Sequence, residues 1–340
     1  MLTTYLKMRI NIFSKIVSGP WGGGNQFQKS LIKYFKTNNI YVENTKEADI
    51  ILVNGHQWIK GIFELYRLKK RNTSLIIIHR VDGPMVLARG NPRQIYLDAV
   101  IRNFNSLFAD VTIFQSEWSR RECYLLGFNK KGLNTVIHNA PDNDFFYNEN
   151  KVYDASSKVK IIATSWSANK KKGFDILEYL DNNLDFDRFE LRFVGNTAIK
   201  FHNIITLPAM KSLDLGNELR GCDIYLQTSE VEACSNALLE AVACGIVPIA
   251  RNNSSHPELV ENYGGVLYCD KGDVIRVLEE VSENYILYSE NLRPNPFHVI
   301  GGEYVSKMQD VLLNRKKREV GLLSFLWLIF LILKVRMFRL

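Results

Sequence analysis

With 340 residues, 46% of them hydrophobic and 23% charged, the chain holds enough apolar material for two full cores, which excludes a disordered or low-complexity protein. Its formal net charge of +7 is concentrated at one end: between Arg315 and Leu340 seven basic residues stand against one acid, so the body is nearly neutral and lacks the spread basic face that a nucleic-acid binder needs. Five scattered cysteines with no CxxC pair, and no histidine at ligand spacing, exclude a disulfide framework and a structural zinc site and suit a reducing, cytoplasmic setting. Residues 1–10 interrupt their apolar stretch with Lys and Arg too often for a secretory signal.

Short apolar runs alternate with longer amphipathic ones from end to end, the βαβ pattern of parallel sheets covered on both faces. Strands are predicted over 9–13, 50–53, 75–79, 111–114 and 135–138, with helices over 26–37 and 117–126 among the segments between them. A polar stretch, 148–158, reads as a linker. The series then restarts, with strands over 161–163, 191–194, 224–227 and 247–250 and helices over 174–181 and 237–244. The expected fold is α/β: two facing Rossmann-like domains, 1–150 and 151–300, with a cleft between them, then a closing helix over 301–314 and a basic, hydrophobic tail over 315–340.

The stretch SEVEACSNALLEAVACGIVPIARNNSSHPELV, 229–260, carries the most chemistry. Glu232 and Glu240 stand eight positions apart, which on one continuous helix would turn them about 80° from each other. If Ser235 or Asn236 caps the helix, Glu232 falls in the preceding loop and both carboxylates reach a ligand at the helix start. The free N–H groups there, around Asn236, Ala237 and Leu238, receive phosphate, whereas carboxylates beside them suit hydroxyl donors. A nucleotide sugar has a diphosphate between two hydroxyl-bearing sugars and fits both. Towards the N-terminus GPWGGG, with Gly22, Gly23 and Gly24, lies between a strand and a helix; it is no dinucleotide fingerprint, but its glycines permit close backbone approach.

The segment EACSNALLEAVACG with the later HPEL resembles the donor site of glycosyltransferase family 4, whose members have the GT-B fold. The resemblance implies that Glu232 binds hydroxyls of the transferred sugar and Glu240 the ribose. In SWSANKKKGFDIL, 165–177, Lys172 and Gly173 match a Lys-Gly pair whose cation binds the donor diphosphate; the family's arginine five residues earlier is replaced by Ser167, so either Lys170 or Lys171 supplies the second charge or Ser167 gives only a hydrogen bond. His79, at the end of a strand, looks like the family's histidine beside the transferred sugar, with Arg80 and Asp82 on the acceptor side and the glycine loop near the donor phosphates. FQSEWSRRE and HNAPDNDFF extend the likeness to residues 8–313.

The expected reaction is glycosyl transfer from a nucleotide sugar, a substrate and not a cofactor, to a sugar or lipid-linked acceptor, with retention at the anomeric carbon implied by the resemblance. No DxD pair stands at a strand end, so no metal is expected. The alternatives are a sugar-nucleotide epimerase of the same fold and a non-catalytic sugar-binding or scaffold subunit. The uncharged run VGLLSFLWLIFLIL, 320–333, flanked by basic clusters, is apolar on every face and about 21 Å long as a helix, short of the roughly 30 Å of a bilayer core. It is expected to hold the protein on the cytoplasmic face of a membrane, suited to polysaccharide or glycolipid assembly, and a chain ending near Asn314 is expected to fold without it.

Overall fold

The computed structural model describes residues 8–17, 19, 22–150, 152–314 and 317–337. Pro20 and Trp21 of the glycine loop, residues 1–7, and Arg315, Lys316 and Arg339 of the basic clusters lie outside them. The continuous apolar runs that the sequence shows are strands buried on both faces, as parallel strands under helices must be.

The first sheet takes β1 (Ile10–Ile12), β2 (Ile50–Asn54), β3 (Ile76–Val81), β4 (Val111–Phe114) and β5 (Asn134–Val136) in sequential order, every pair parallel. Beside β1 a single parallel bridge from Ile10 to Tyr41 adds a rudimentary strand on its other edge. Interleaved are α1 (Gly23–Thr37), α2 (Ile62–Arg71), α3 (Met85–Arg89), α4 (Ile95–Phe108) and α5 (Glu117–Leu125). Ser116 caps α5 by accepting from Ser119 N at 3.0 Å, while the Ser119 hydroxyl accepts from Ser116 N, a reciprocal capping box.

The second sheet runs β11-β10-β9-β6-β7-β8, again parallel throughout. Its strands and helices alternate as β6 (Val159–Ser165), α6 (Phe174–Asn183), β7 (Phe189–Gly195), β8 (Ile205–Leu207), α7 (Ser212–Arg220), β9 (Ile224–Gln227), α8 (Asn236–Ala243), β10 (Val247–Arg251), α9 (His256–Tyr263) and β11 (Val266–Tyr268), followed by α10 (Val274–Glu283) and α11 (Tyr285–Glu290). The chain builds outward from β6 to β8 and then crosses to β9 on the other side of β6. That reversal opens a crevice at the carboxyl ends of β6 and β9, where doubly wound sheets hold ligands.

The chain ends in α12 (Phe297–Leu313) and α13 (Leu322–Met337). Two compact units result, Met1–Ile16 with Gln28–His138 and His298–Leu340, and Val17–Phe27 with Asn139–Phe297. This differs from a split at residue 150: the glycine loop belongs with the second sheet, and the closing helix and tail belong with the first. The reason is packing. Phe325, Leu328, Ile332 and Val335 of α13 are buried in one core with Leu65, Phe104 and Phe108. Phe325 stacks on Tyr66 with ring centroids 3.9 Å apart. The tail is therefore not apolar surface on every side, as the sequence suggested, but a helix with one face built into the first unit. No helix among the described residues is long and apolar enough to cross a membrane. All five cysteines are free.

Candidate functional site

At the sheet reversal of the second unit lies an open pocket, its floor formed by Thr164 and Ser165 at the end of β6, Val194 and Gly195 at the end of β7, and Gln227 at the end of β9. Lys172, Glu232, Ser235, Asn236, Ala237 and Glu240 line it together with Gly22 and Gly23. Most of the sequence-predicted donor site is thus assembled in one place.

The local geometry explains the residue types. Ser235 is the N-cap of α8, its hydroxyl accepting from Leu238 N at 3.2 Å, so Asn236 and Ala237 begin the helix and keep the unpaired N–H groups of its positive end. Glu232 lies in the loop before the cap and Glu240 on the helix, as the capping argument required. Gly23 starts α1 against this point: a Cβ there would come within 2.3 Å of the Asn236 side-chain nitrogen, so a larger residue would push Asn236 from its place. Gly173, with φ of 73°, likewise lets the lysine loop close on β9, since a Cβ would stand 2.0 Å from the Thr228 carbonyl. The Thr228 hydroxyl donates to the Lys172 carbonyl at 2.7 Å and completes that lock.

The Lys172 ammonium stands 2.5 Å from Glu232 Oε1. Burial alone would raise the Glu232 carboxyl, but the Lys172 charge and hydrogen bond outweigh it and hold the group below its ordinary range. Glu240 has no such help, and burial pushes its carboxyl up to about 7. His256 at the start of α9 is held neutral by burial, down to about 4, with Nδ1–H donating to the Arg251 carbonyl at 2.9 Å. Two glutamates eight residues apart are therefore electrically different, one locked as an anion and one poised near neutrality.

Other predicted residues are placed elsewhere. Lys171 is ion-paired with Glu230, Lys170 is exposed, and Ser167 accepts a turn bond from Asn169 N at 3.2 Å; none of the three lines the pocket. Lys172 is the one cation among the described lining residues, so the expected second charge from the lysine run is not delivered there. Gly24 follows Gly23 into α1 without lining the pocket. His79 belongs to the first unit and is fully buried, its Nε2–H donating to the Gly55 carbonyl at 2.9 Å and its Nδ1 accepting from Asn105 at 3.1 Å. Burial lowers it to about 4, and both ring nitrogens are satisfied within the first unit. Arg80, equally buried, bonds Asn54 and Asp82, and only Asp82 of that group is part-exposed, at 34% of its side chain.

Sequence reasoning missed Trp166, Gln26, Phe146 and Met210, which also line the pocket. Trp166 directly follows the strand-end Ser165, and its 41% exposure at the pocket is a property that the sequence does not show. The other three had no signal either: Gln26 arrives from α1, and Phe146 and Met210 from loops.

Residues 148–295 match the family model described as Glycosyl transferases group 1. The match spans less than half of the chain and makes this segment similar to a group 1 glycosyltransferase domain. The same segment supplies the pocket wall from Thr164 to Glu240. No curated protein matches the sequence. Among solved structures, the chain is similar to HepE of Anabaena in complex with UDP and glucose, at 14% identity and a TM-score of 0.65, over 90% of this chain and 98% of that one. A glycosyltransferase from Rickettsia africae gives 15% identity and a TM-score of 0.62 over 92% and 100% of the two chains. Sucrose-phosphate synthase from Thermosynechococcus elongatus gives 12% and 0.62 over 90% and 97%. At these identities the likeness is one of fold, the GT-B fold of two Rossmann-like units.

Proposed function

We propose that the chain is a glycosyltransferase that moves a hexosyl group from a nucleotide sugar to a sugar or lipid-linked acceptor. The observation that carries this reading is the convergence of one cation, one helix N-terminus and two unlike carboxylates on one pocket. Lys172 and the N–H groups of Asn236 and Ala237 receive the diphosphate and the charge that grows on it as the anomeric bond breaks. Glu232 accepts from hydroxyls of the transferred sugar and Glu240 from the ribose. The likeness to HepE, whose structure holds UDP and glucose, supports a donor of this kind.

Retention, with a leaving-phosphate oxygen taking the acceptor's proton, follows from the family resemblance. Metal independence follows from the absence of a DxD pair at a strand end, the leaving charge falling to Lys172 and α8. Activity undiminished by excess chelator is the expected outcome, and restoration of a chelated enzyme by magnesium or manganese would refute it. We further assign the enzyme to the cytoplasmic face of a membrane, in polysaccharide or glycolipid assembly, because of the basic charge and apolar residues gathered in its last helix.

The deciding experiment is a thermal-shift screen of nucleotides and nucleotide sugars followed by a transfer assay. A ligand at a hundred times its dissociation constant should stabilise the protein by about 2.7 kcal/mol. Stabilisation by nucleoside diphosphates, and release of diphosphate only when an acceptor is present, is expected. Donor conversion without acceptor would make it an epimerase. Binding with no turnover would make it a non-catalytic subunit, in keeping with the single pocket cation.

A further inference from the structure

Helix α13 buries Phe325, Leu328, Ile332 and Val335, yet its outer face is also apolar. At about 100° per residue, Leu323, Leu326, Phe330, Leu333 and Met337 fall within an arc of roughly 80° opposite the buried residues. All five are exposed, Leu323 by 83% and Met337 by 82%. Trp327 lies along one margin, its ring centroid 5.4 Å from that of Phe330, and Lys334 beside it reaches over the same Phe330 ring at 5.0 Å. Phe63 of α2, 54% exposed and edge-on to Phe325 at 5.6 Å, continues the surface. The helix carries no acid, and Lys317, Lys334 and Arg336 are exposed around it with Glu319 the one carboxylate in the described stretch 317–337.

We infer that the outer face of α13 is a docking surface for an anionic lipid bilayer, entered side-on by one helix face and never spanned. Its charge selects the partner: two copies of this chain joined through the same face would bring Lys334 and Arg336 against further basic groups with no carboxylate on the helix to receive them. An anionic headgroup layer takes the cations while the boundary beneath it takes Leu323, Leu326, Trp327 and Phe330. The helix is also about 24 Å long and fixed to the protein along its other side, so a shallow, parallel pose is the one it permits. This deepens the membrane assignment just proposed and rests on it, but it needs nothing from the sugar chemistry.

The test is sedimentation of the full chain with vesicles of phosphatidylcholine alone and of equimolar phosphatidylcholine and phosphatidylglycerol. Wild type should pellet with the mixed vesicles, weakly with the neutral ones, and come off as salt is raised. The double variant Leu326→Glu with Phe330→Glu, changed only on the exposed face, should partition at least about tenfold less, and Lys334→Glu several-fold less. UDP-induced thermal shifts measured on the same samples report the pocket separately: their loss in wild type, with vesicle binding kept, would strike the glycosyltransferase reading and leave this one standing. Wild type that ignores the mixed vesicles, a double variant that binds as well as wild type, or a dimer that the double variant dissolves overturns the inference.

Discussion

Glu240 is the residue at which pH should enter. Burial lifts its carboxyl to about 7, and in the proposed donor pose the carboxylate accepts from a ribose hydroxyl more strongly than the neutral acid does, so nucleotide affinity should rise from about pH 6 to about pH 8. Its folded pKa lies above the unfolded value, so the stability of the unliganded protein should fall as pH rises from the ordinary carboxylate range through 7. Glu240→Gln should flatten the component of the affinity profile due to this group and melt higher than wild type at pH 8; equal profiles in a calorimetric titration would remove Glu240 from the donor site. Lys172→Ala should cost about 2.7 to 4 kcal/mol of transition-state stabilisation in kcat, and, because Glu232 is left with a partly buried charge, roughly 1 to 2 kcal/mol of stability as well. Lys172→Ala combined with Glu232→Gln should recover the stability and not the turnover. His79→Ala behaves differently: it strands the Gly55 carbonyl and Asn105 and opens a gap beside Phe104, so about 2 to 4 kcal/mol of stability should go while nucleotide binding in the second unit stays.

At the scale of elements, the α13 contact makes a strong demand on the fold. Phe325→Ala removes a ring stacked on Tyr66 and buried with Phe108, and should cost about 3 to 5 kcal/mol in chemical denaturation. For the same reason a chain cut near Asn314 should not fold normally, contrary to the expectation from sequence, since the cut uncovers Tyr66 and Phe108. Arg318 adds to this anchorage by donating to the carbonyls of Ser106 and Ala109 at the end of α4, where a cation is favoured. Why this was illegible is plain from the residues: a segment apolar on all faces tells that it avoids water, not which side protein covers. Strands buried on both faces were easy to read, and 111–114 and 224–227 coincide with β4 and β9. The missed strands β8 and β11 are three-residue edge strands, too short for a pattern. The convergence of Glu232, Ser235, Asn236 and Glu240 on one pocket was legible because they are local to one helix start, whereas the satisfied state of His79 depends on Gly55 and Asn105, far away in sequence.

For the whole molecule, the order in which the chain is made matters. The second unit draws almost all of its residues from Asn139–Phe297, while the first is interrupted and receives α13 only after the second is complete. A ribosome therefore releases everything the second unit needs, including the early segment Val17–Phe27 already made, before the first sheet can close its core. Until Leu322–Met337 emerges, Tyr66, Phe104 and Phe108 must wait in a half-covered state that invites capture by chaperones or by other nascent chains. Stalled chains in which residue 297 has cleared the exit tunnel and residue 320 has not should show protease resistance in the second unit and susceptibility in the first, and extending them with a linker until residue 337 has cleared it should protect both. Synthesis would thus finish the pocket first and only afterwards add the helix that completes the other core.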